Sequence, residues 1–327
     1  MTRSMLWLNE TDLRAAGAAD HLRARADIEE ALRLHAAGAA EMVPENVLPT
    51  GPDPREKAYG LPARLEGEYG VAGLKWTMHR AAADPSLPAN SSLTLLNRLE
   101  DGQPEAILES GFLTCMRTAA VTGLALSRFA PLAPRRIALL GAGAQARGHL
   151  DMLAALFPEA QVTVWNRTTE RAHAMAGRHP GTAVSEALDD AVADVDAILS
   201  CTSAPEPILD ARAVRPGRLI AQIGFNEVSF DAIEATDDVC VDAWGDFADR
   251  SAKSLFRLYR AGRFSADRIA ADLSDPACAT WRPDPARSVF FSSFGLNIFD
   301  IALAARLVRD ARALGLGQAL PLAAGQE

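Results

Sequence analysis

The stretch Ile137-Ala-Leu-Leu-Gly-Ala-Gly-Ala-Gln-Ala-Arg-Gly-His149 runs from four apolar residues directly into a glycine-rich turn. An apolar run of this kind reads as a short strand, and the residues after the turn read as the start of a helix. Gly141 permits a tight turn and Gly143 leaves no side chain between backbone and pyrophosphate. Ala146 fills the third position of a G-x-G-x-x-G/A pattern, where helix and strand pack closely. The amides that open the helix would then face an anion. Taken alone, the pattern also fits a βα turn that binds nothing, so its surroundings must decide.

From residue 135 onward, short apolar runs alternate with helical segments, the signature of an α/β domain. Strands are expected at 136–140, 161–165, 182–184, 196–200, 219–223 and 239–241, with helices at 145–157, 168–177, 186–192 and 211–214. A helix over 247–261 would stop at Gly262. A strand at 289–291, a turn at 292–295 and a long helix at 297–314, ended by Gly315, complete the chain.

Ahead of residue 131 the pattern is α+β. A strand at 6–8 precedes helices at 11–18 and 25–39, the second with Ile28, Ala31, Leu32, Ala36 and Ala39 at helical spacing. Residues 44–54 read as a Pro/Gly-rich loop and 68–76 as a strand. A hairpin, 92–96 with 106–109, turns at Asp101-Gly102, and Thr114 can cap a helix over 115–129. The expected fold is therefore a Rossmann dinucleotide-binding domain over 131–289 and a discontinuous α+β domain over 1–130 and 290–327, the last helix packing back on the first domain.

Composition narrows the function. A chain of 327 residues, 49% apolar and 23% charged, suits two packed globular domains. The formal charge of -9 argues against nonspecific nucleic-acid binding. Cys115, Cys201, Cys240 and Cys278 are scattered and form neither a C-x-x-C pair nor a Cys/His cluster, so no metal site or disulfide framework is expected, in keeping with a cytoplasmic protein. The apolar part of the start, Met5 to Leu8, is too short for a signal peptide, and no run approaches the roughly 18 apolar residues of a membrane span.

Five places carry candidate chemistry. Lys75 lies among apolar residues of an expected strand, where it is either a snorkelling lysine or an ammonium for a substrate carboxylate. Arg117, in the first turn of its expected helix, opposes the helix dipole and so suggests an anionic partner. The second strand of the α/β domain ends at Asn166-Arg167-Thr168 with no acidic residue to bond the ribose hydroxyls; donors and a cation there favour NADP(H), with NAD(H) as the other candidate. Ser200-Cys-Thr-Ser203 and Gly224-Phe-Asn-Glu227 follow the fourth and fifth strands, where ligands bind in open α/β sheets. Thr202 would face the cofactor, and Glu227 is either a general acid or base or an ordinary loop carboxylate.

With these pieces placed, the chain from about Leu6 to Leu322 resembles the ornithine cyclodeaminase/mu-crystallin family. The resemblance rests on Gly73-Leu-Lys75, Leu113-Thr-Cys-Met-Arg-Thr-Ala-Ala120, Gly141-Ala-Gly-Ala-Gln-Ala146 with His149, and Gly295-Leu-Asn-Ile-Phe-Asp300. Met5 to Asn9, Gly73 to Trp76, Val241 to Trp244 and Gly262 to Ser265 are most similar to its 2,3-diaminopropionate-forming branch, the carboxyethyl-glutamate dehydrogenases. The resemblance implies that Lys75 and Arg117 grip a substrate carboxylate and that Thr118 helps hold the cofactor phosphates. It also implies that Gly141, Gly143, Ala144 and Gln145 form the pyrophosphate turn, that Gly295 lies beside the nicotinamide, and that the first domain's sheet forms a homodimer.

Two departures stand out. The catalytic aspartate of cyclodeaminases is replaced around Gly224-Phe225-Asn226, with Glu227 next. The family's extra carboxylate-binding arginine gives way to Pro44-Glu-Asn-Val-Leu-Pro-Thr50, leaving Arg55 or Arg64 as substitutes. The implied activity is hydride transfer at the C–N bond of a small carboxylate-bearing amine or imine. A redox-neutral cyclodeaminase and a noncatalytic nucleotide- or ligand-binding protein are the alternatives.

Overall fold

The computed structural model describes residues 4–53, 55–81, 88, 90–249 and 251–322. They form two compact units: one runs to Arg117 and resumes at Leu296, and the other spans Thr118–Gly295.

The first unit opens with β1 (Ser4–Leu8), α1 (Glu10–Ala15) and α2 (His21–Ala36). Asn9 accepts the Asp12 amide at 3.0 Å while Asp12 accepts the Asn9 amide at 3.3 Å, a capping box that starts α1. Asp20 accepts the Arg23 amide at 3.0 Å and so starts α2 at His21, ahead of the residue-25 start read from periodicity. Strands β2 (Ala40–Met42), β3 (Asn46–Pro49), β4 (Lys57–Leu65), β5 (Val71–His79), β6 (Asn90–Arg98) and β7 (Pro104–Glu109) follow, then α3 (Gly111–Phe129).

Two expectations fail here. The presumed loop at 44–54 contains β3, and β4 was not expected at all. Gly60 and Pro62 disguise β4, yet β4 holds both: β3 pairs with residues 57–60 and β2 with residues 63–65, so Leu61 and Pro62 fall between the two partners. Nor does Thr114 cap α3. It lies inside the helix, its hydroxyl donating to the Ser110 carbonyl at 2.9 Å.

The second unit is built on one parallel sheet. In chain order its elements are β8 (Arg136–Leu140), α4 (Ala144–Leu156), β9 (Gln161–Trp165), α5 (Thr169–Ala176), β10 (Ala183–Ser185), α6 (Leu188–Val192), β11 (Ala197–Ser200) and β12 (Leu219–Gln222). Then come α7 (Phe230–Ala235), β13 (Asp238–Val241), α8 (Ser254–Arg260), β14 (Ile269–Asp272) and β15 (Val289–Ser292). The strand order is β10-β9-β8-β11-β12-β15-β13-β14, and every neighbour is parallel. This is a Rossmann sheet, with Ala138, Leu140, Ile198, Ile220, Val239, Val241 and Phe290 in its core. The order reverses between β8 and β11, which places a ligand crevice at the carboxyl ends of those strands. Sequence reading did not anticipate α7 or β14, and it drew one helix over 247–261 where α8 is only seven residues long.

The chain then returns to the first unit as α9 (Asn297–Leu314), ended by Gly315 in the left-handed conformation at φ 67°, and β16 (Gln318–Pro321) pairs antiparallel with β1. The first unit's sheet runs β16-β1-β7-β6-β5-β4-β2, with β3 also on β4. Helix α9 packs on β4, β5 and α2. The buried Arg306 of α9 donates to Asp27 of α2 at 2.6 Å, and a Cβ on Gly73 would stand 2.8 Å from Ile301, so only glycine admits the helix so close to β5. Among the described residues, no helix is long and apolar enough to cross a membrane.

Candidate active site

In the first unit, three elements meet at one buried carboxylate. Lys75 projects from β5 on the face that α9 covers, and its Nζ lies 2.9 Å from Oδ1 of Asp300, in the first turn of α9. Arg117 of α3 brings its Nε to the same oxygen at 3.3 Å. Lys75 also donates to Thr114 Oγ1 at 3.4 Å, and its side chain is 3% exposed, so it does not snorkel. Burial lowers the Lys75 ammonium's affinity for its proton, against the opposing charge of Asp300. Burial alone would raise the Asp300 carboxyl, but Arg117 and then Lys75 outweigh it and hold the group ionised below its usual range.

Two cations around one internal anion leave one positive charge, the complement of a single carboxylate. Because α3 begins at Gly111, Arg117 sits in the second turn rather than the first; the helix dipole is spent there, and the anion Arg117 faces within the protein is Asp300. Asp300 closes the Gly295-Leu-Asn-Ile-Phe-Asp300 motif, and sequence alone assigns it no role.

The second unit supplies the cradle. Gly141 ends β8 at φ 114°, and a Cβ there would meet the Cys201 carbonyl oxygen at 2.6 Å, so the β8 and β11 turns can touch only through glycine. Gly143 is the N-cap of α4 and offers no side-chain acceptor, while a Cβ on it would meet nothing within 4 Å. Ala144 and Gln145 open the helix, and the buried Oε1 of Gln145 has no hydrogen-bond partner among the described residues. An open, uncapped helix start beside a glycine that clears the way fits the pyrophosphate of a dinucleotide.

Beside it, Ala142, Gly143, Arg147, Arg171, Ala174, Met175 and Arg178 line a cavity of about 440 Å³. Sequence reading missed these arginines, although Arg171 stands one helical turn beyond Arg167. Asn166 ends β9 and donates to the Thr168 carbonyl at 2.8 Å. Arg167 and Thr168 are exposed, and Thr168 is the N-cap of α5 without a side-chain hydrogen bond. Thr118 is buried in α3, where its carbonyl accepts from Thr122, which in turn meets His149 Nε2 at 2.9 Å.

The loops at the other strand ends are held by buried charges. Glu227 is fully buried and accepts the Thr202 amide at 3.1 Å and the Gln222 side-chain amide at 3.4 Å. A Cβ on Gly224 would stand 1.8 Å from its Oε1. Asn226 donates to the Pro205 carbonyl at 2.6 Å and accepts from Arg257 of α8 at 2.7 Å, so both ends of its amide are engaged by the protein. Lys253 donates to the carbonyls of Ile223 and Gly224 at 2.8 and 2.9 Å. Asp242 accepts the amides of Phe294 and Gly295 at 2.7 and 2.6 Å and the Ser293 hydroxyl at 3.0 Å, fixing the turn that carries Gly295 at φ 90°. The Arg55 and Arg64 expected as substitute anchors are engaged elsewhere, Arg55 with Asp53 and Arg64 with Glu41 and Glu66. No group of three metal-ligating side chains occurs among the described residues.

The sequence profile of the ornithine cyclodeaminase/mu-crystallin family matches residues 15–254, and the chain belongs to that family. It is 24% identical to N-((2S)-2-amino-2-carboxyethyl)-L-glutamate dehydrogenase of Staphylococcus aureus, over 98% of this chain and 100% of that one. Two solved structures share the fold. The Thermococcus litoralis Delta(1)-pyrroline-2-carboxylate reductase, in complex with NADH and L-proline, superposes with a TM-score of 0.87 at 22% identity, over 96% of this chain and 99% of that one. An archaeal alanine dehydrogenase dimer with bound NAD gives 0.87 at 24% identity, over 97% and 99%.

The state of Glu227 is open to measurement. Burial raises its carboxyl above the ordinary 4.5 despite its hydrogen bonds and the charge of Lys253. The unfolded chain therefore ionises this group at lower pH than the folded one, so its contribution to stability falls as pH rises above about 4.5. Glu227→Gln removes that titration while keeping an acceptor for Thr202. The thermal midpoint of the Gln variant, relative to the parent, should rise between about pH 4.5 and pH 8; a difference that stays flat or falls would refute the raised carboxyl.

Proposed function

We propose that this chain is an NAD(P)(H)-dependent oxidoreductase acting on the C–N bond of an amino acid, an imino acid or an N-carboxyalkyl amino acid. The observation that carries this reading is the Lys75–Asp300–Arg117 cluster, two buried cations around one carboxylate, in a chain whose second unit holds an open dinucleotide turn. The cluster's net positive charge anchors the substrate carboxylate and so orients the α-carbon and its nitrogen. The dinucleotide, when bound, supplies or accepts the hydride, and Gly141, Gly143, Ala144, Gln145, Thr118, Thr202 and Gly295 hold it. Lys75, whose proton is loosened by burial, is the group of the anchor suited to exchange a proton with the substrate nitrogen. Glu227 and Asn226, committed to the Thr202 and Pro205 loops, position the backbone around the cofactor rather than react.

NADP(H) is the preferred cofactor. Arg147, Arg171 and Arg178 line the cavity next to Gly143 with no ion pair among the described residues, and Arg167 stands exposed at the end of β9. Three cations beside the glycine turn and a fourth at the end of β9, where Asn166-Arg167-Thr168 holds no carboxylate, favour a phosphate over a bare hydroxyl.

A homodimer through the first unit's sheet completes the reading. On the face away from α9, Trp76 of β5 is 43% exposed beside its cross-strand partner Leu93, 44% exposed, with Leu48 at 55% on the same face. An apolar sheet face of this kind suits a second copy of itself.

Purified protein mixed with NADPH or NADH and a panel of α-keto acids plus amines should change nicotinamide absorbance; a flat signal with every combination would sink the oxidoreductase reading. Lys75→Ala and Arg117→Ala should each lower turnover at least about 100-fold with little change in dinucleotide affinity, as expected when one partner of a charged anchor is lost. Normal turnover in both variants would reject the anchor. Arg171→Ala and Arg167→Ala should raise KM for NADP(H) about tenfold or more while sparing NAD(H), in line with a lost charge-assisted hydrogen bond. Equal losses would contradict the phosphate assignment. Leu93→Asp should convert a dimer to a monomer in sedimentation equilibrium; a parent that is already monomeric would overturn the dimer.

A further inference from the structure

Helix α3 precedes the parallel sheet in the chain, yet from Thr118 onward it belongs to the second unit, where it packs on α4. A Cβ on Gly123 of α3 would stand 2.8 Å from Leu156 and 3.0 Å from Met152 of α4, so the missing side chain brings the helices close. Beside that apolar contact runs a polar bridge. His149 of α4 meets the Thr122 hydroxyl of α3 at 2.9 Å through Nε2. Each partner also reaches one turn back along its own helix: Thr122 to the Thr118 carbonyl at 3.1 Å, and His149 Nδ1 to the Gln145 carbonyl at 2.7 Å. That carbonyl can only accept, so Nδ1 donates to it and the other ring nitrogen is left facing Thr122. The bridge therefore connects the backbone at Thr118 with the backbone at Gln145, the second residue of α4.

Three observations tie this bridge to the cradle rather than to packing. Thr122 and His149 are both 0% exposed, so two polar side chains are buried where apolar ones would cost less. Water cannot take the place of a lost partner there. The start of α4 also lacks a side-chain cap, whereas Asn9 and Asp20 cap α1 and α2. With Gly143 at the N-cap, the first amides stay open to a ligand, and nothing at the cap itself holds their direction. A directional hydrogen bond one turn farther in does that without occupying them.

We propose that His149 and Thr122 are positioning residues for the dinucleotide. Their bridge holds the open amides of α4 and the Thr118 turn of α3 in one fixed geometry for a pyrophosphate, while both side chains lie too deep to touch it. The inference rests on the reading of Gly141 to Gln145 as a dinucleotide cradle, and it deepens that reading.

Dissociation constants for NADPH and NADH, read from nicotinamide fluorescence on the intact chain, test it. Thr122→Val keeps the shape of threonine without the hydroxyl, and His149→Asn keeps a donor near the Gln145 carbonyl but does not reach Thr122. Each should weaken every dinucleotide that the parent binds by about tenfold, the effect of a buried hydrogen bond whose partner is left unpaired. The double variant should bind no more weakly than the weaker single one, because either change already opens the bridge. Thr122→Ser and His149→Gln put a hydrogen-bonding group back at the bridging position and should bind as the parent does. Circular dichroism establishes that each variant compared is folded. Unchanged affinity in Thr122→Val and His149→Asn, with or without a lower thermal midpoint, overturns the proposal and leaves the dinucleotide reading standing. Additive losses in the double variant, or equal losses in the Ser and Gln variants, assign the two residues to packing and overturn it as well. A parent that binds neither NADPH nor NADH removes the cradle itself, and the proposal with it.

Discussion

A single carboxylate, Asp300, allows this fold to bury two cations side by side. Lys75, Arg117 and Asp300 come from β5, α3 and α9, and Asp300 is 225 positions from Lys75 and 183 from Arg117 in the chain. Burying either cation alone would be strongly unfavourable, and removing one partner from such a cluster typically costs about 3–5 kcal/mol. The requirement reaches well beyond the site. It makes α9 part of the first unit although its sequence follows the second, and Gly73 on β5 lets Ile301 approach so that the first turn of α9 lies over Lys75. The Arg306–Asp27 pair then ties the far part of α9 to α2. Backbone geometry and electrostatics therefore select the same arrangement.

The second unit uses buried charge differently. Among the described residues Glu227 and Asp242 have no arginine partner; they accept backbone amides of Thr202, Phe294 and Gly295. Lys253 does the converse, donating to the carbonyls of Ile223 and Gly224. Each charge is satisfied by the polar backbone of a loop at the carboxyl end of the sheet, which converts an otherwise loose turn into a fixed one. In the first unit the internal charges leave a surplus that a ligand can match. In the second they are consumed by the protein, and the groups left open are backbone amides at α4 and the arginines beside Gly143. That division suits an anchor for a small charged molecule and a rigid cradle for a large one.

The Rossmann sheet was legible because parallel strands covered on both faces write themselves as unbroken apolar runs, and Ile137 to Gly143 is such a run followed by its turn. The strands that escaped notice lack that signature. β4 contains Gly60 and Pro62, and it forms because β2 and β3 divide its length between them. β14 and β16 are four-residue strands with little continuous apolar character. Arg117 was singled out by a helix start placed four residues too late, so the residue was found while the physics first attached to it was not that of the folded helix. Asp300 escaped for a different reason. A carboxylate in a helix's first turn is ordinary on sequence grounds, since it suits the dipole, and nothing local reveals that residues some two hundred positions away will meet it.

Carboxylate recognition and substrate choice are separable in this architecture. The Staphylococcus aureus relative and the two solved structures are named for carboxyethyl-glutamate, pyrroline-carboxylate and alanine chemistry, molecules that share a carboxylate beside a carbon–nitrogen bond and differ in everything beyond it. An anchor that reads only the shared part has no reason to vary with the rest. Farther along the sheet face that carries Lys75 stand Tyr59, Lys57 and His79, with the β2–β3 connection at its edge. That connection is short, lies at the edge of the sheet and contributes little to the core, so its residues can change charge without disturbing β4 or α9.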